Sequence, residues 1–277
     1  MPCRARQRAG GRARAAVLAA VTCAVLASLV AAGPTSAAGP RAPSYPEGVF
    51  DLKEPSLLAP PGPHALHGYT SVYVDDFSTP LRYPFWNLFG GRPKGDPVSR
   101  FERSHVSVRK GLLRLGTWRD PKRHGIWATG GACLCGVHPT YGAFFVRSRQ
   151  TSIGPDVSEL LWPKDDVWPP EVDFAETGAN VWRASWFDHY PPAPDAVQLH
   201  RRINVLHWHT WGVVWTPSAL TFVVDGRAWG QVTARGEVPS EPMTLDLQQQ
   251  TWCGIFPECP TRPSSLFVDW VEVYRPG

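Results

Sequence analysis

The sequence predicts an all-β fold, a sandwich or barrel of short antiparallel strands, on three observations. From Tyr69 onward, apolar residues run in short stretches broken by turn chemistry. Asp225-Gly226 stands between Val223-Val224 and Arg227-Ala228-Trp229, a strong hairpin signal. No segment carries a sustained helical period.

Taken in order, the chain of 277 residues opens on a segment that lies outside this pattern. Arg4, Arg6, Arg8, Arg12 and Arg14 form a basic start, an apolar run spans Ala15 to Ala32, and small residues lead to Ser36-Ala37-Ala38. That is the layout of a secretory signal peptide, expected to be cut near Ala38. A retained membrane anchor is the alternative, since the run is just long enough to span a bilayer. Residues 39–69 are rich in Pro, Gly, Ala and Ser, and Pro60-Pro61-Gly62-Pro63 cannot join a central strand. They read as a linker or as a tail lying on the domain. Residues 70–277 are then one domain.

Within that domain, Ser104 to Trp118 reads as a hairpin turning at Arg109-Lys110-Gly111. Thr140 to Gln150 is another extended segment. Trp211 to Trp215 and Leu220 to Val224 flank Thr216-Pro217-Ser218, which has turn chemistry. Met243 to Gln249 and Leu266 to Tyr274 close the chain with two more strands.

Charge narrows the function classes. Without the five arginines of the leader, 28 basic residues fall to 23 against 24 acidic ones. The positive excess belongs to export, and no basic cluster remains for nucleic acid. Cys3 and Cys23 leave with the leader, so four of the six cysteines remain in a compartment where disulfides persist. Cys253 and Cys259 are the pair most easily closed, across a short Pro-containing loop. Cys133 and Cys135 would stand about 7 Å apart on one face of an extended strand, too far for an unstrained bridge. A turn there would change that. A zinc site is disfavoured because Cys-x-Cys and Cys-x5-Cys do not match the usual ligand pairs. Thirteen Trp residues suit a sandwich core, and they also suit the apolar faces of sugar rings.

The informative stretch is Trp168-Pro169-Pro170-Glu171-Val172-Asp173-Phe174-Ala175-Glu176. Glu171 and Asp173 share a strand face, while Val172 and Phe174 point to the core. Strict alternation would bury Glu176, which is costly for a lone carboxylate. A β-bulge at Phe174-Ala175 would return Glu176 to the face of the other two acids. Three carboxyls on one surface are the equipment of a retaining glycosidase, in which one attacks the anomeric carbon and another protonates the leaving oxygen. A solvated charged edge or a set of Ca²⁺ ligands would use the same residues.

The stretch resembles the active-site strand of glycoside hydrolase family 16 in its bulged Glu-x-Asp-x-x-Glu form. Further segments are similar to that family in order: Asp75-Asp76-Phe77 with Trp86-Asn87; Tyr141-Gly142 to Arg147; Leu160-Leu161-Trp162-Pro163; His209-Thr210 to Trp215-Thr216-Pro217 with Asp225-Gly226; and Val268-Asp269-Trp270 to Tyr274. Two departures stand out. Phe145-Val146 replace a usual Glu before the Arg, and Val213-Val214-Trp215 stands where Val-Glu-Trp is common.

The resemblance implies a concanavalin A-like jelly roll of two antiparallel sheets with a concave glycan cleft. It implies retention of configuration, with Glu171 as nucleophile, Asp173 as auxiliary acid and Glu176 as general acid/base. It places Trp168, His189, Gln248 and Trp252 along the substrate, with Gln250, Trp127 and Trp186 as weaker candidates. It also implies that Asp269 could hold one structural Ca²⁺, while the chemistry needs no cofactor. The expected partner is a polysaccharide, most of all a β-1,3-glucan, met outside the cell by a monomer that binds no nucleic acid and, once cut, no membrane. A lectin-like glycan-binding module and a transglycosylase are the competing functions for this sandwich.

Overall fold

The computed structural model describes residues 45–93, 96–178, 180–192, 196–256 and 259–277. The expected leader and residues 39–44 of the following stretch lie outside the described residues.

The described strands, in chain order, begin with β1 (Val49–Phe50), β2 (Leu58–Ala59), β3 (Tyr69–Asp75), β4 (Asn87–Leu88), β5 (Val106–Val108) and β6 (Leu113–Asp120). They continue with β7 (Ile126–Thr129), β8 (Gly131–Cys133), β9 (Gly142–Gln150), β10 (Asp156–Pro163), β11 (Glu171–Thr177) and β12 (Ala184–His189). The last six are β13 (Ala196–Arg201), β14 (His209–Thr216), β15 (Ala219–Val224), β16 (Arg227–Val232), β17 (Met243–Gln250) and β18 (Ser264–Pro276). Helix among the described residues is confined to two single 3₁₀ turns, Arg103–His105 and Pro121–Arg123.

Two antiparallel sheets make a sandwich. One runs β13-β12-β11-β10-β17-β8-β4, and the other runs β16-β15-β14-β9-β18-β6-β5 with β3 added beside β18 and β7 beside β6. The hairpins read from the sequence are present. Val106 faces Leu115 and Val108 faces Leu113, and the turn closes with the Arg109 N–H on the Leu112 carbonyl at 3.0 Å. Beyond Asp225-Gly226, Val224 pairs with Arg227.

Alternation sends one side of each strand into the space between the sheets. Leu113, Leu115, Phe144, Val146, Val172, Phe174, Val213, Trp215, Phe222, Leu245 and Leu247 are buried there. Each such side chain is stabilised by about 1.5–3 kcal/mol on leaving water. The interior also holds acid. Glu159 on β10 is paired with Ala175, faces inward and takes a hydrogen bond from Ser148. With Ser148, Gln150, Thr177 and Trp211 it lines a small internal cavity. Asp188 on β12 is fully buried as well, and neither of its carboxylate oxygens has a partner.

Residues 45–69 run across the outer face of the larger sheet. The Thr210 hydroxyl donates to the Glu47 carbonyl at 2.6 Å, and the Trp270 indole N–H donates to the Leu58 carbonyl at 2.8 Å. The Gly62 N–H reaches Glu272, and the Tyr274 hydroxyl reaches the Gly62 carbonyl. Beneath this strap a second apolar cluster gathers Leu66, Phe145, Val214, Val223, Trp270 and Tyr274, with Tyr45 and Tyr69 packed against it.

The four cysteines among the described residues are paired as Cys253–Cys259 and Cys133–Cys135. The second pairing corrects the extended-strand expectation. β8 stops at Cys133 and the chain turns at Cys135-Gly136, so the two Cα atoms approach to 5.0 Å.

Candidate active site

The smaller sheet carries the acids on its outer face. Along β11 the register with β12 runs Glu171 to His189 and Asp173 to Phe187, then shifts to Glu176 opposite Ser185. On the other side, β10 pairs Leu160 with Asp173, Glu159 with Ala175 and Ser158 with Glu176. Phe174 and Ala175 therefore both oppose a single residue, and both are buried in the core. This is the bulge at Phe174-Ala175, and it puts Glu171, Asp173 and Glu176 on one face.

The Trp168 indole N–H donates to Glu171 Oε2 at 2.8 Å. His189 Nε2 lies 3.6 Å from Asp173 Oδ2. One carboxylate oxygen each from Glu171 and Asp173, together with a ring nitrogen of His189, fall within 4.8 Å of one another. Burial pushes Glu171 above the usual carboxylate range, while the Trp168 hydrogen bond pulls it back. Burial raises Asp173 further, and the charges of Glu171, Glu176 and Asp156 add to it. Glu171 takes the indole N–H, which favours its charged form. Burial lowers His189, which favours the neutral imidazole.

The substrate candidates fall in several places. Trp168 is 37% exposed, and its ring centroid stands 6.0 Å from that of His189. Gln248 pairs with Ser158 and Gln250 with Asp156, so both share the outer face with the acids. Trp252 follows β17, just before the loop closed by the Cys253–Cys259 bridge, and packs edge-on against Phe256 of that loop at 5.3 Å. Two weaker candidates sit elsewhere. Trp186 faces inward and stacks on Phe222 at 4.2 Å, and Trp127 belongs to β7 of the other sheet under the Arg119 guanidinium.

Asp246 on β17 escaped the sequence reading. It pairs with Leu160, which pairs with Asp173, so it lies two strands from the acids on the same face. Burial holds it well above the usual carboxylate range, opposed by the Thr244 hydroxyl and reinforced by Glu171 and Asp166. Its signal was available, because it stands two residues before Gln248 in an alternating strand. Ser185, His200 and Arg183 beside Glu176 were missed too.

Asp269 lies at the far side of the molecule, on β18. One oxygen accepts the Ser56 N–H at 3.1 Å, and the other is buried without a partner. Glu54 and Asp76 act on one another and on Asp269 as like charges. An orphaned carboxylate oxygen amid negative charge suits Ca²⁺, although the Arg147 guanidinium already supplies positive charge beside Asp269.

Comparison with known proteins bears on the family and the fold. Residues 101–272 match the family described as Glycosyl hydrolases family 16. The laminarinase catalytic domain of Thermotoga maritima MSB8 superposes with a TM-score of 0.66 at 17% identity, covering 76% of this chain and 99% of that one. The laminarinase of Rhodothermus marinus gives 0.64 at 22% identity, covering 75% and 97%. The endo-beta-1,3-glucanase of Pyrococcus furiosus gives 0.64 at 18%, covering 75% and 94%. No curated relative matches the chain. A family match over most of the chain, on an antiparallel jelly roll of this kind, identifies the protein as a glycoside hydrolase belonging to glycosyl hydrolases family 16.

Proposed function

We propose that the protein is an endo-acting hydrolase of β-linked glucan, with β-1,3 links preferred, that retains anomeric configuration. The observation that carries this reading is the bulged β11, which gathers Glu171, Asp173 and Glu176 on one face with an indole N–H already on Glu171.

In the first step the ionised Glu171 attacks the anomeric carbon, and Glu176 gives its proton to the departing glycosidic oxygen. The glycosyl group is then joined to Glu171. In the second step Glu176 takes a proton from water, and the water oxygen displaces Glu171 from the same face that the aglycone left. Asp173 carries the shared proton and donates it as a hydrogen bond to Glu171, steadying the nucleophile as its charge is consumed and restored. Trp168 and His189 lie beside Glu171 on one side of the reacting ring. Gln248, Gln250 and Trp252 line the path across β17.

The preference for β-1,3-glucan rests on the fold shared with laminarinases and an endo-1,3-glucanase. The first 38 residues serve as an export signal, and two disulfides suit an oxidising compartment. The mature protein then acts outside the cell as a monomer. Ca²⁺, held at Asp269, would stiffen the strap against β18 and has no part in the chemistry.

Incubation with laminarin, barley glucan, agarose and xyloglucan, followed by sizing of the products, tests the reading. The expected result is a ladder of short oligosaccharides from laminarin. Binding without any cleavage would mean a lectin-like module, and products longer than the substrate would mean transglycosylation.

A further inference from the structure

The surroundings of Glu176 contain a chain of polar contacts that the reaction as written does not use. Ser185 on β12 is directly opposite Glu176 in the register, so the two side chains share the outer face about 5 Å apart at Cβ. Ser185 is buried, and its hydroxyl lies 2.7 Å from His200 Nδ1. His200 on β13 is the register partner of Ser185, and its Nε2 meets the guanidinium of Arg183.

The direction of these bonds is fixed by what each group can do. A guanidinium only donates. His200 Nε2 must therefore accept from Arg183, which leaves the ring proton of the neutral imidazole on Nδ1. Nδ1–H then donates to the Ser185 oxygen. The hydroxyl proton of Ser185 cannot point back at His200 and is turned toward the face that holds Glu176.

We propose that Arg183, His200 and Ser185 form a hydrogen-bond relay of fixed direction that aims the Ser185 hydroxyl at Glu176 and tunes the proton affinity of the acid/base. The proposal rests on the reading of Glu176 given above. All three are positioning residues, since they act through Glu176. The neighbours that face Glu176 work in opposite senses. Asp173 on its own strand, which interacts with Glu176 as a like charge, favours the protonated acid. The Ser185 donor favours the carboxylate. Burial and the Arg183 charge both lower His200, which favours the neutral imidazole. The relay thus offsets the like-charge crowding, and it lets one group give a proton in the first step and take one in the second.

The test is the pH dependence of kcat/KM on the glucan that the wild type degrades best. Its alkaline limb reports loss of the Glu176 proton. Ser185→Ala should move that limb up by about one pH unit, the size expected for one hydrogen bond to a charged group, with KM little changed. Ser185→Thr keeps the hydroxyl and should restore the wild-type limb. Arg183→Met frees His200 to take the other tautomer, so the Ser185 proton can turn away. The limb should shift in the same direction, and the double variant should shift no further than Ser185→Ala. An unmoved limb in Ser185→Ala, or full additivity with Arg183→Met, would overturn the relay. A separate arm examines Glu176 itself. Glu176→Ala, assayed on an activated aryl β-glycoside, should lose the alkaline limb altogether. If that limb remains, the assignment of Glu176 fails and the relay fails with it. If it is lost while Ser185→Ala is silent, only the relay fails.

Discussion

Glu171 is half-buried and Asp173, two residues on, is fully buried, and the proposed mechanism gives them different jobs. The difference is one donor, the Trp168 indole N–H on Glu171 Oε2. Trp168→Phe keeps an aromatic ring for the substrate and removes that donor. Glu171 should then hold its proton more tightly, because the hydrogen bond favours the charged form. The acid limb of kcat/KM should move to higher pH, and kcat/KM at the optimum should fall about 10- to 100-fold, as for one lost charge-assisted hydrogen bond. A pH profile settles it, and an unchanged acid limb would speak against the assignment. Asp173→Asn has a different signature. The amide can still donate to Glu171, so activity should be impaired without being abolished. The amide does not ionise, so the like-charge influence of Asp173 on its neighbours disappears and the profile shifts.

Among the elements, β10 and β12 each carry a buried acid that a strand in a sandwich core would not be expected to hold. Burial pushes Glu159 up to about 8, opposed by the Ser148 hydroxyl. Asp188 is also pushed up to about 8 by burial, helped by the charge of Glu237. A raised acid binds more protons folded than unfolded. Its stabilising contribution is full below the ordinary carboxylate pKa and is lost as pH climbs to about 8. Each group can cost up to about 1.4 kcal/mol per pH unit across that window. Glu159→Gln should therefore raise Tm more at pH 8 than at pH 5, as thermal denaturation at the two values would show. A gain equal at both would mean that Glu159 is ionised inside.

The same elements show where sequence reading reaches its limit. The hairpins at Arg109-Lys110-Gly111 and Asp225-Gly226 were legible because turn residues and alternation agree there. The bulge in β11 was legible because Glu176 would otherwise be buried. β4, β7, β8 and β13 were not. β4 and β8 are two and three residues long, too short for a period, and β13 is mostly exposed and ends on His200-Arg201. The inward turn of Glu159 was hidden because its position follows from pairing with Ala175 in the bulge, which is a property of two strands together. Asp246, by contrast, could have been read from its spacing to Gln248. The relay at Ser185 could not, since it joins residues fifteen or more apart through a register.

For the whole molecule, the strap of residues 45–69 and the disulfides hold the loops and the outer face of the larger sheet. Peptide mapping without reduction should recover Cys253 linked to Cys259 and Cys133 linked to Cys135. Any link between the two pairs would contradict the structure. If Ca²⁺ binds at Asp269, chelation should lower Tm and leave the pH profile of activity in place. An unchanged Tm would leave that carboxylate with the Ser56 N–H and the nearby charge of Arg147 alone. The export reading predicts that the mature protein starts near residue 38 or 39. N-terminal sequencing of the secreted protein would contradict it by finding Arg4.

The central claim is that Glu171 is the nucleophile and Glu176 the acid/base, and azide rescue separates the two. In Glu171→Ala the covalent step is gone, and azide can attack an activated aryl β-glycoside from the vacated face to give an α-glycosyl azide. In Glu176→Ala the covalent intermediate still forms from the activated substrate, and azide should release it as the β-glycosyl azide with net retention. Proton NMR of the two products should thus show opposite anomers, while the wild type releases the retained sugar. The same anomer from both variants, or an inverted sugar from the wild type, would contradict the account.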